Sequence, residues 1–332
     1  MQRARGLYIL DQPSFDLIYG PDERRDIAGL VDVYAAAQNR QSIAANPALL
    51  ADTELIFSGW GPPVMDEKFL AAAPKLQAVF YGAGSVRAFV TDAFWKRGIV
   101  LTCAATANAV PVSEYTLAAI LFSLKLGWHF ARKLRLEHRF YPRDTVPGCY
   151  GSTVGLISLG LIGRLVRERL APFAVRVVAY DPFVAAANAR ELNVELLPLD
   201  EVFRQADVVS VHTSWLKETE GLITGAHLAS MKPNATFINT SRGAVVREPE
   251  MIDALRQRPD LQAVLDVTHP EPPAPDSPLF TLPNVILTPH IAGSMNNECR
   301  RMGRTMVDEL RRYLAGEPLQ WQLTREAASR LA

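Results

Sequence analysis

Short apolar runs of strand length alternate with segments of helical spacing along this chain. Such alternation favours parallel sheets covered by helices, because the connection between two parallel strands has to cross back over the sheet. The runs lie at residues 7–10, 55–58, 76–81, 99–103, 153–158, 175–180, 208–211, 236–239, 262–266 and 285–287. The sequence therefore predicts an α/β protein with doubly wound parallel sheets, and 332 residues favour two domains.

Helices and loops between the runs follow from apolar spacing and from proline and glycine. The spacing predicts one long helix over residues 111–136, with Pro111 at its first turn, where a missing N–H costs nothing. Residues 140–152, rich in proline and glycine, are a predicted loop. A last helix is expected over residues 297–314 and ends at Gly316, and the PLQWQL segment after it has the pattern of a strand that rejoins the first domain.

The composition narrows the possible partners. Lys plus Arg and Asp plus Glu both number 35, so the net charge is zero and neither nucleic acid nor an anionic membrane is expected as the main partner. Cys103, Cys149 and Cys299 are odd in number and form no CxxC pair, which favours a reduced, cytoplasmic protein. The apolar run near the start is too short for a signal peptide, and no stretch approaches the roughly 20 apolar residues of a membrane span.

The segment TVGLISLGLIGRLVRERL predicts a strand, a tight glycine turn and a helix that begins near Leu161. Small residues in such a turn let backbone N–H groups at a helix N-terminus approach a dinucleotide diphosphate, whose charge the helix dipole favours. Gly160 and Gly163 hold the second and third positions of G-x-G-x-x-G, with Leu161 and Ile162 between them, whereas Ser158 stands at the first. Glycine turns also occur for packing alone. The pattern by itself therefore does not distinguish a dinucleotide-binding turn from a turn with a packing role.

An acidic residue follows the next predicted strand. Asp181 stands where a carboxylate can accept hydrogen bonds from the ribose hydroxyls of adenosine, and its charge would repel a 2′-phosphate. The sequence therefore predicts NAD as the cofactor, with NADH preferred over NADPH. The alternative is that Asp181 and Pro182 only form a turn after the strand.

Three polar residues follow apolar runs in the C-terminal half: Arg242 in TFINTSRG, Glu271 in AVLDVTHPEP and His290 in VILTPHIAG. Ligands of doubly wound sheets bind beyond the carboxyl ends of the strands, where these residues are expected. The planar guanidinium of Arg242 can bind a carboxylate and polarise a neighbouring carbonyl. His290 can give a proton to a C2 oxygen as hydride arrives, and Glu271 on the other ring nitrogen would fix its tautomer. This set predicts an enzyme that reduces an oxygenated carbon.

Longer motifs follow the glycine turn in order: DVVSVHTSWLKETEGLIT, MKPNATFINTSRGAVV and LDVTHPEPPAPDSPLFTLPNVILTPHIAG. With them the chain resembles the D-isomer-specific 2-hydroxyacid dehydrogenase family over most of its length. The resemblance implies that Arg242, Glu271 and His290 are catalytic. It also implies that Asp266 meets the nicotinamide carboxamide and that Thr240 lies in the loop that lines the cofactor.

Other polar residues near the predicted cofactor are less specific. His212 and Thr213 follow the predicted strand 208–211 and are expected to face the cofactor crevice. For Asp266 and Thr240, hydrogen bonding at strand ends is the alternative role. No histidine has the spacing of a metal site, so no catalytic metal is expected.

The family's fold implies a discontinuous domain order. Residues 1–106 and 294–332 would form a flavodoxin-like substrate-binding domain. Residues 107–293 would form a Rossmann-like NAD-binding domain inserted between those two parts. The resemblance also implies a homodimer that forms through the NAD-binding domain.

The loop FYGAGS follows a predicted strand of the first domain, and exposed N–H groups in such a loop can bind a carboxylate. It resembles the family's substrate loop. The expected substrate contacts are Tyr81, Gly82, Ala83 and Gly84, together with Arg242 and His290. The chain departs from the family pattern at Val86, where Asp or Asn is usual, and Tyr81 has the alternative role of a packing aromatic.

The leading hypothesis is NAD-dependent interconversion of a 2-oxo acid and a D-2-hydroxy acid, as in glyoxylate and hydroxypyruvate reductases. A formate dehydrogenase-like enzyme on the same architecture is an alternative, although that branch of the family has glutamine where Glu271 stands. The other alternative is a non-catalytic NAD(H)-sensing protein that resembles the family's transcriptional corepressors.

Overall fold

The computed structural model describes residues 3–330. These residues form two compact units, one from residues 3–108 and 294–330 and the other from residues 109–293. The elements in chain order are β1 (Arg5–Ile9), α1 (Gln12–Ile18), α2 (Pro21–Leu30), β2 (Asp32–Val33), α3 (Arg40–Ala45), β3 (Leu55–Ser58), α4 (Glu67–Ala72), β4 (Ala78–Tyr81), α5 (Asp92–Lys96), β5 (Val100–Cys103), α6 (Ala105–Ser123), α7 (Gly127–Glu137), β6 (Thr153–Ile157), α8 (Leu161–Arg169), β7 (Arg176–Tyr180), α9 (Ala186–Glu191), β8 (Glu195–Leu196), α10 (Leu199–Gln205), β9 (Val208–Val211), α11 (Gly225–Ala229), β10 (Thr236–Asn239), α12 (Glu248–Gln257), β11 (Gln262–Leu265), β12 (Val285–Leu287), α13 (Cys299–Ala315) and α14 (Arg325–Arg330).

The sheet of the first unit is parallel, with the strand order β2-β1-β3-β4-β5. This is the flavodoxin-like order, in which the chain reverses direction across the sheet between β1 and β3. Alternate residues of each strand belong to two different cores: Val79 packs with α4 and α5, whereas Phe80 packs with α1, α2 and α13. The strand-like segment near the C-terminus rejoins this unit as predicted, because the Cys103 N–H donates to Trp321 O and the Leu323 N–H donates to Leu101 O.

The sheet of the second unit is also parallel, with the order β12-β11-β10-β9-β6-β7-β8. Its strands are continuous apolar runs because helices cover both faces: Phe237 lies in one core and its neighbour Ile238 in the other. The strand order reverses between β6 and β9. The predicted fold class, with doubly wound parallel sheets, is therefore confirmed.

The predicted helix over residues 111–136 is wrong at its start. Helix α6 begins at Ala105, so Pro111 lies inside it and not at its first turn. A proline in a helix interior removes one intrahelical hydrogen bond. Residues 105–110 include three alanines, the residue with the highest helix propensity, and the helix extends over them N-terminal to the proline.

The same prediction is wrong in its middle, where α6 ends at Ser123 and α7 begins at Gly127. Leu126 has a left-handed backbone, with φ of 49°. The ring of Phe122 folds over Gly127, where an added Cβ would lie 2.5 Å from the ring. The two helices are bent by 57° at this break. Their apolar spacing continues across it, so the spacing alone could not reveal it.

The remaining elements agree closely with the sequence. Residues 140–152 form no helix or strand, and α13 spans Cys299–Ala315. Gly316 ends that helix with φ of 69°, a conformation that glycine adopts without steric cost. The strands β2 and β8 were not predicted, because each has two residues, too few to show an apolar pattern.

Within residues 3–330, no single helix is long and apolar enough to cross a membrane, although α6 and α7 would pass that test together as a bent pair. The three cysteines, Cys103, Cys149 and Cys299, are free thiols.

Candidate active site

Arg242, Glu271 and His290 follow three strands that lie side by side in the second unit. The strands β10, β11 and β12 are neighbours and run parallel. The chain therefore leaves all three strands at the same edge of the sheet. The three side chains predicted to act together thus come from adjacent loops of one compact unit.

His290 and Glu271 form a direct hydrogen bond, with 2.6 Å between the Nδ1 and Oε1 atoms. An ionised carboxylate only accepts, so Nδ1 carries the proton and Nε2 is the nitrogen that can exchange a proton with a ligand. Both side chains are close to half exposed. This is the arrangement of a histidine oriented for general acid–base chemistry.

The backbone at His290 is held in a turn by Asp266. His290 has φ of 54°, and its N–H donates to the backbone oxygens of Asp266 and Thr288. The buried Asp266 carboxylate accepts three hydrogen bonds: from the Thr288 hydroxyl, at 2.7 Å, and from the N–H groups of Ile291 and Ala292, at 2.8 and 2.9 Å. Asp266, expected to contact the cofactor, therefore also fixes the turn that presents His290.

Arg242 lies in a segment organised by a single asparagine. The Asn239 side-chain oxygen accepts from the Ser241 N–H and hydroxyl, and its amide donates to Arg242 O at 3.0 Å. The guanidinium donates to Ser241 O at 2.7 Å. Burial lowers the pKa of Arg242, and the negative charge of Glu271 opposes that shift.

Gly243 lets the Arg242 segment touch the loop that carries Glu271. A Cβ at Gly243 would lie 2.0 Å from the backbone carbon of Thr268 and 2.6 Å from the nitrogen of His269. No side chain fits in that space. The glycine after Arg242 is therefore required by a close approach of two backbones, and not by its own φ.

The glycine turn between β6 and α8 has two glycines with different roles. A Cβ on Gly163 would lie 2.2 Å from Ser158 O, so this glycine lets the helix pack against the end of the strand. A Cβ on Gly160 would meet nothing within 4 Å. Gly160 is the N-cap of α8 and no side chain caps that helix, so its first N–H groups can serve a diphosphate.

Ser158, at the first glycine position, adopts the backbone that a glycine would have. Its φ is 79°, in the left-handed region. Its hydroxyl lies 2.9 Å from the Thr213 hydroxyl, which also donates to Ile157 O. The departure from the glycine pattern therefore keeps the turn geometry and adds a bond to the loop after β9.

Asp181 lies at the end of β7, beside this turn. Its carboxylate oxygens accept hydrogen bonds from the N–H groups of Leu159 and Phe183, both at 2.8 Å. These bonds hold the carboxylate in place next to the glycine turn. A carboxylate has capacity for further donors, such as ribose hydroxyls.

His212 follows β9, next to the point where the strand order reverses. Its side chain is buried, and both ring nitrogens have no hydrogen-bond partner among the described residues. Burial lowers the pKa of His212 to about 3, so the imidazole is neutral at pH 7. Its Cβ lies 3.7 Å from the Cβ position of Gly163. This orphaned polar group beside an uncapped helix fits a bound dinucleotide.

The other residues predicted to contact the cofactor have these positions. The Thr240 hydroxyl lies 3.0 Å from the Thr116 hydroxyl, and both residues are buried. Leu161 is exposed at the first turn of α8, whereas Ile162 packs against a core of the sheet. No group of three or more His, Cys, Asp or Glu side chains that could hold a metal ion occurs among residues 3–330.

The predicted substrate loop lies in the first unit, after β4. Tyr81 is buried in the core with its ring centroid 4.7 Å from that of Phe89, and burial raises its pKa. The Gly82 N–H donates to Ser58 O, and Ala83 is buried. Gly84 is the more open of the two glycines, with one atom, the Asn108 amide nitrogen, within 4.0 Å of its Cβ position.

Sequence reasoning missed the residues that hold these side chains. Asn239, Gly243 and Thr288 were not singled out, because their roles depend on contacts between loops that are far apart in the chain. One local feature of the sequence could have indicated two of them: Asn239 and Gly243 lie within three residues of Arg242 in the INTSRG motif.

A glycine turn that opens a helix, an oriented carboxylate on the next strand and a histidine–carboxylate pair at the same sheet edge define an α/β dinucleotide-binding protein. Residues 119–292 match the family model described as the NAD-binding domain of D-isomer specific 2-hydroxyacid dehydrogenases. The chain belongs to this family. The resemblance seen in the sequence is therefore confirmed.

Relatives with assigned names differ in the acid on which they act. The chain is 38% identical over 255 residues to the D-3-phosphoglycerate dehydrogenase of Mycobacterium leprae, which covers 76% of this chain and 48% of that enzyme. It is 36% identical over 253 residues to the (S)-sulfolactate dehydrogenase of Chromohalobacter salexigens, which covers 75% of this chain and 81% of that enzyme. The chain thus spans about half the length of the phosphoglycerate dehydrogenases it matches.

A solved structure supports the same fold. The D-mandelate dehydrogenase of Rhodotorula graminis superposes with a TM-score of 0.80, covering 97% of this chain and 98% of that one, at 24% sequence identity.

Proposed function

We propose that this protein is an NAD-dependent dehydrogenase that interconverts a 2-oxo acid and a D-2-hydroxy acid. The observation that carries the proposal is the 2.6 Å bond between His290 and Glu271, with Arg242 in the loop after the adjacent strand β10. Membership of the family supports the reaction type.

Each of the three side chains has a separate task in the proposed reduction. Arg242 binds the substrate carboxylate with its planar fork of donors and polarises the C2 carbonyl. His290 donates a proton from Nε2 to the C2 oxygen, and takes it back in the reverse direction. Glu271 stabilises the protonated ring and keeps Nδ1 protonated in both directions.

The nicotinamide, when bound, supplies or accepts the hydride at C2. The groups that would hold the dinucleotide are the amides after Gly160, the Asp181 carboxylate and the buried His212, with Ser158, Leu161, Ile162, Gly163, Thr213, Thr240 and Asp266 around them. The negative charge of Asp181 supports a preference for NADH over NADPH, because it would face the 2′-phosphate of the latter.

The unit of residues 109–293 is proposed to bind the cofactor, and the unit of residues 3–108 and 294–330 is proposed as the substrate-binding domain. Gly82, Ala83 and Gly84 at the end of β4 are the proposed contacts there. Tyr81 would act through the fold of the loop, since its ring is buried. We further propose a cytoplasmic enzyme, as the free cysteines support.

A homodimer is proposed through the cofactor-binding unit. The support is a set of exposed apolar side chains on α6, α7 and the loop after them: Phe122, Leu136, Phe140 and Tyr150. Phe140 and Tyr150 are 94% and 90% exposed. Sedimentation equilibrium of the wild type and of a Phe140→Ser, Tyr150→Ser variant tests this: a dimer that the variant converts to monomer is expected, and a wild-type monomer would contradict it.

The activity is tested with purified protein, NADH and a panel of glyoxylate, hydroxypyruvate, pyruvate and longer 2-oxo acids. Loss of NADH absorbance with at least one acid is expected. His290→Ala should lower kcat by a factor on the order of 10² to 10⁴ and leave the Kd for NADH unchanged. If NADH binds and no acid is reduced, the dehydrogenase proposal is wrong and a non-catalytic NAD(H) sensor is favoured.

A further inference from the structure

Glu248 is a half-buried carboxylate that has no part in the proposed proton transfer. It is the first residue of α12, and its Oε2 atom accepts the backbone N–H of His269 at 3.0 Å. Burial raises the pKa of Glu248, and the bond from His269 opposes that shift. Burial therefore disfavours the charged form of the carboxylate, and the hydrogen bond from the His269 N–H partly offsets this loss of solvation.

The bond joins two segments that carry proposed catalytic residues. Between Arg242 and Glu248 lie a single turn of 3-10 helix, Gly243–Val245, and the two residues Val246 and Arg247. His269 is two residues from Glu271 in the loop after β11. The same two segments also meet where Gly243 packs against the backbone of Thr268. They therefore touch at two points, one a close packing of two backbones and the other a hydrogen bond.

The chain between His269 and Glu271 is stiff. Pro270 and Pro272 flank Glu271, and the proline ring fixes φ. The Thr268 hydroxyl donates to Pro270 O at 2.8 Å and closes the turn. These restraints limit how far the Glu271 backbone can move relative to the His269 amide.

We infer that Glu248 is a positioning residue, which holds the His269 amide so that the Glu271 carboxylate stays within hydrogen-bonding distance of His290. The inference rests on the proposed function for its effect on turnover. The contact itself does not depend on any substrate.

Two substitutions separate hydrogen bonding from charge. Glu248→Ala removes the acceptor, and kcat should fall about tenfold, because a small misplacement of an orienting group slows proton transfer, with the Kd for NADH unchanged. Glu248→Gln keeps an oxygen that accepts the same N–H, and its kcat should stay within roughly threefold of the wild type.

Glu250→Ala is the matched control. Glu250 lies in the same first turn of α12, so its loss changes the charge at that helix end equally. It accepts from the Gly225 N–H at 3.0 Å and pairs with Arg247, away from His269. Its kcat should equal that of the wild type.

Hydrogen exchange of the backbone amides gives a readout that needs no turnover. Peptides that cover residues 266–272 should exchange faster in Glu248→Ala than in the wild type, Glu248→Gln and Glu250→Ala. Wild-type exchange and wild-type kcat in Glu248→Ala would overturn the inference, as would an equal loss of kcat in Glu250→Ala. An inactive wild type would contradict the proposed function, and the exchange result would then decide the positioning role alone.

Discussion

His290 and Glu271 are joined by a hydrogen bond between Nδ1 and Oε1 of 2.6 Å, and each comes from the loop after a different parallel strand. The sheet therefore brings together two residues that are nineteen positions apart in the chain. Because the ionised carboxylate accepts only, the bond assigns the proton on the ring to Nδ1. The Nε2 atom is left as the one that exchanges a proton with the substrate.

Glu271→Ala should lower kcat by a factor on the order of 10², because the imidazole loses the group that orients it and stabilises its protonated form. The kcat of Glu271→Gln should lie between those of Glu271→Ala and the wild type. Its amide oxygen can still accept a hydrogen bond from Nδ1 but carries no charge. Steady-state kinetics with the best acid of the panel measures both. Asp276→Ala, an exposed acid in the same proline-rich loop, is the control. Equal kcat in all four proteins would remove Glu271 from the mechanism.

Asp181→Asn should reduce the preference for NADH over NADPH roughly tenfold, equivalent to about 1.4 kcal/mol, because it removes the negative charge that opposes a 2′-phosphate. The amide oxygen of asparagine can still accept one of the two N–H groups that Asp181 holds, those of Leu159 and Phe183. Titration of each cofactor by calorimetry measures the ratio. Glu191→Gln, an exposed acid on α9, should leave the ratio unchanged. An unchanged ratio in Asp181→Asn would mean that other groups select the cofactor.

Much of this arrangement could be predicted from the sequence because it is encoded locally. Strands such as Val208–Val211 are unbroken apolar runs, and in a parallel sheet the residue after each run lies at a known edge. The placement of Arg242, Glu271 and His290 on neighbouring loops follows from that rule once the strand order is known. The glycine turn could also be predicted from the sequence, because Gly160 and Gly163 are only three residues apart and their roles depend on this short segment.

The parts that could not be predicted depend on contacts between distant residues. The break before α7 arises where the Phe122 ring folds over Gly127, and no apolar pattern announces it. The left-handed backbone at His290 depends on a carboxylate, Asp266, that lies 24 residues earlier and binds the same turn at three donors. Such contacts are set by the fold and leave no periodic signal.

Ser158 gives a stability test of the unusual glycine turn. Ser158→Gly and Ser158→Ala both lose the hydroxyl bond to Thr213, but only glycine accepts a φ of 79° without steric cost. The glycine variant should therefore be more stable than the alanine variant by about 1 kcal/mol, the reverse of the usual order. Urea unfolding of the two variants measures the difference. If the Ser158→Ala variant is as stable as the Ser158→Gly variant, or more stable, the backbone at this position is not left-handed.

His212 should make the folded protein sensitive to acid. Burial lowers its pKa to about 3, whereas a histidine in the unfolded chain has a pKa of about 6.5. Between these values the unfolded state binds one more proton, so the free energy of unfolding falls as the pH falls, by up to about 1.4 kcal/mol per pH unit. Above about pH 6.5 the residue is neutral in both states and contributes no pH dependence. His212→Phe removes the titrating group. Between about pH 7.5 and about pH 5, its free energy of unfolding, measured in urea, should therefore fall by about 2 kcal/mol less than that of the wild type. His138→Phe, a change at an exposed histidine, should follow the wild type. If the stability of His212→Phe falls as steeply as that of the wild type, the pKa of His212 is not lowered by burial, and the ring binds a proton as readily in the folded protein as in the unfolded chain.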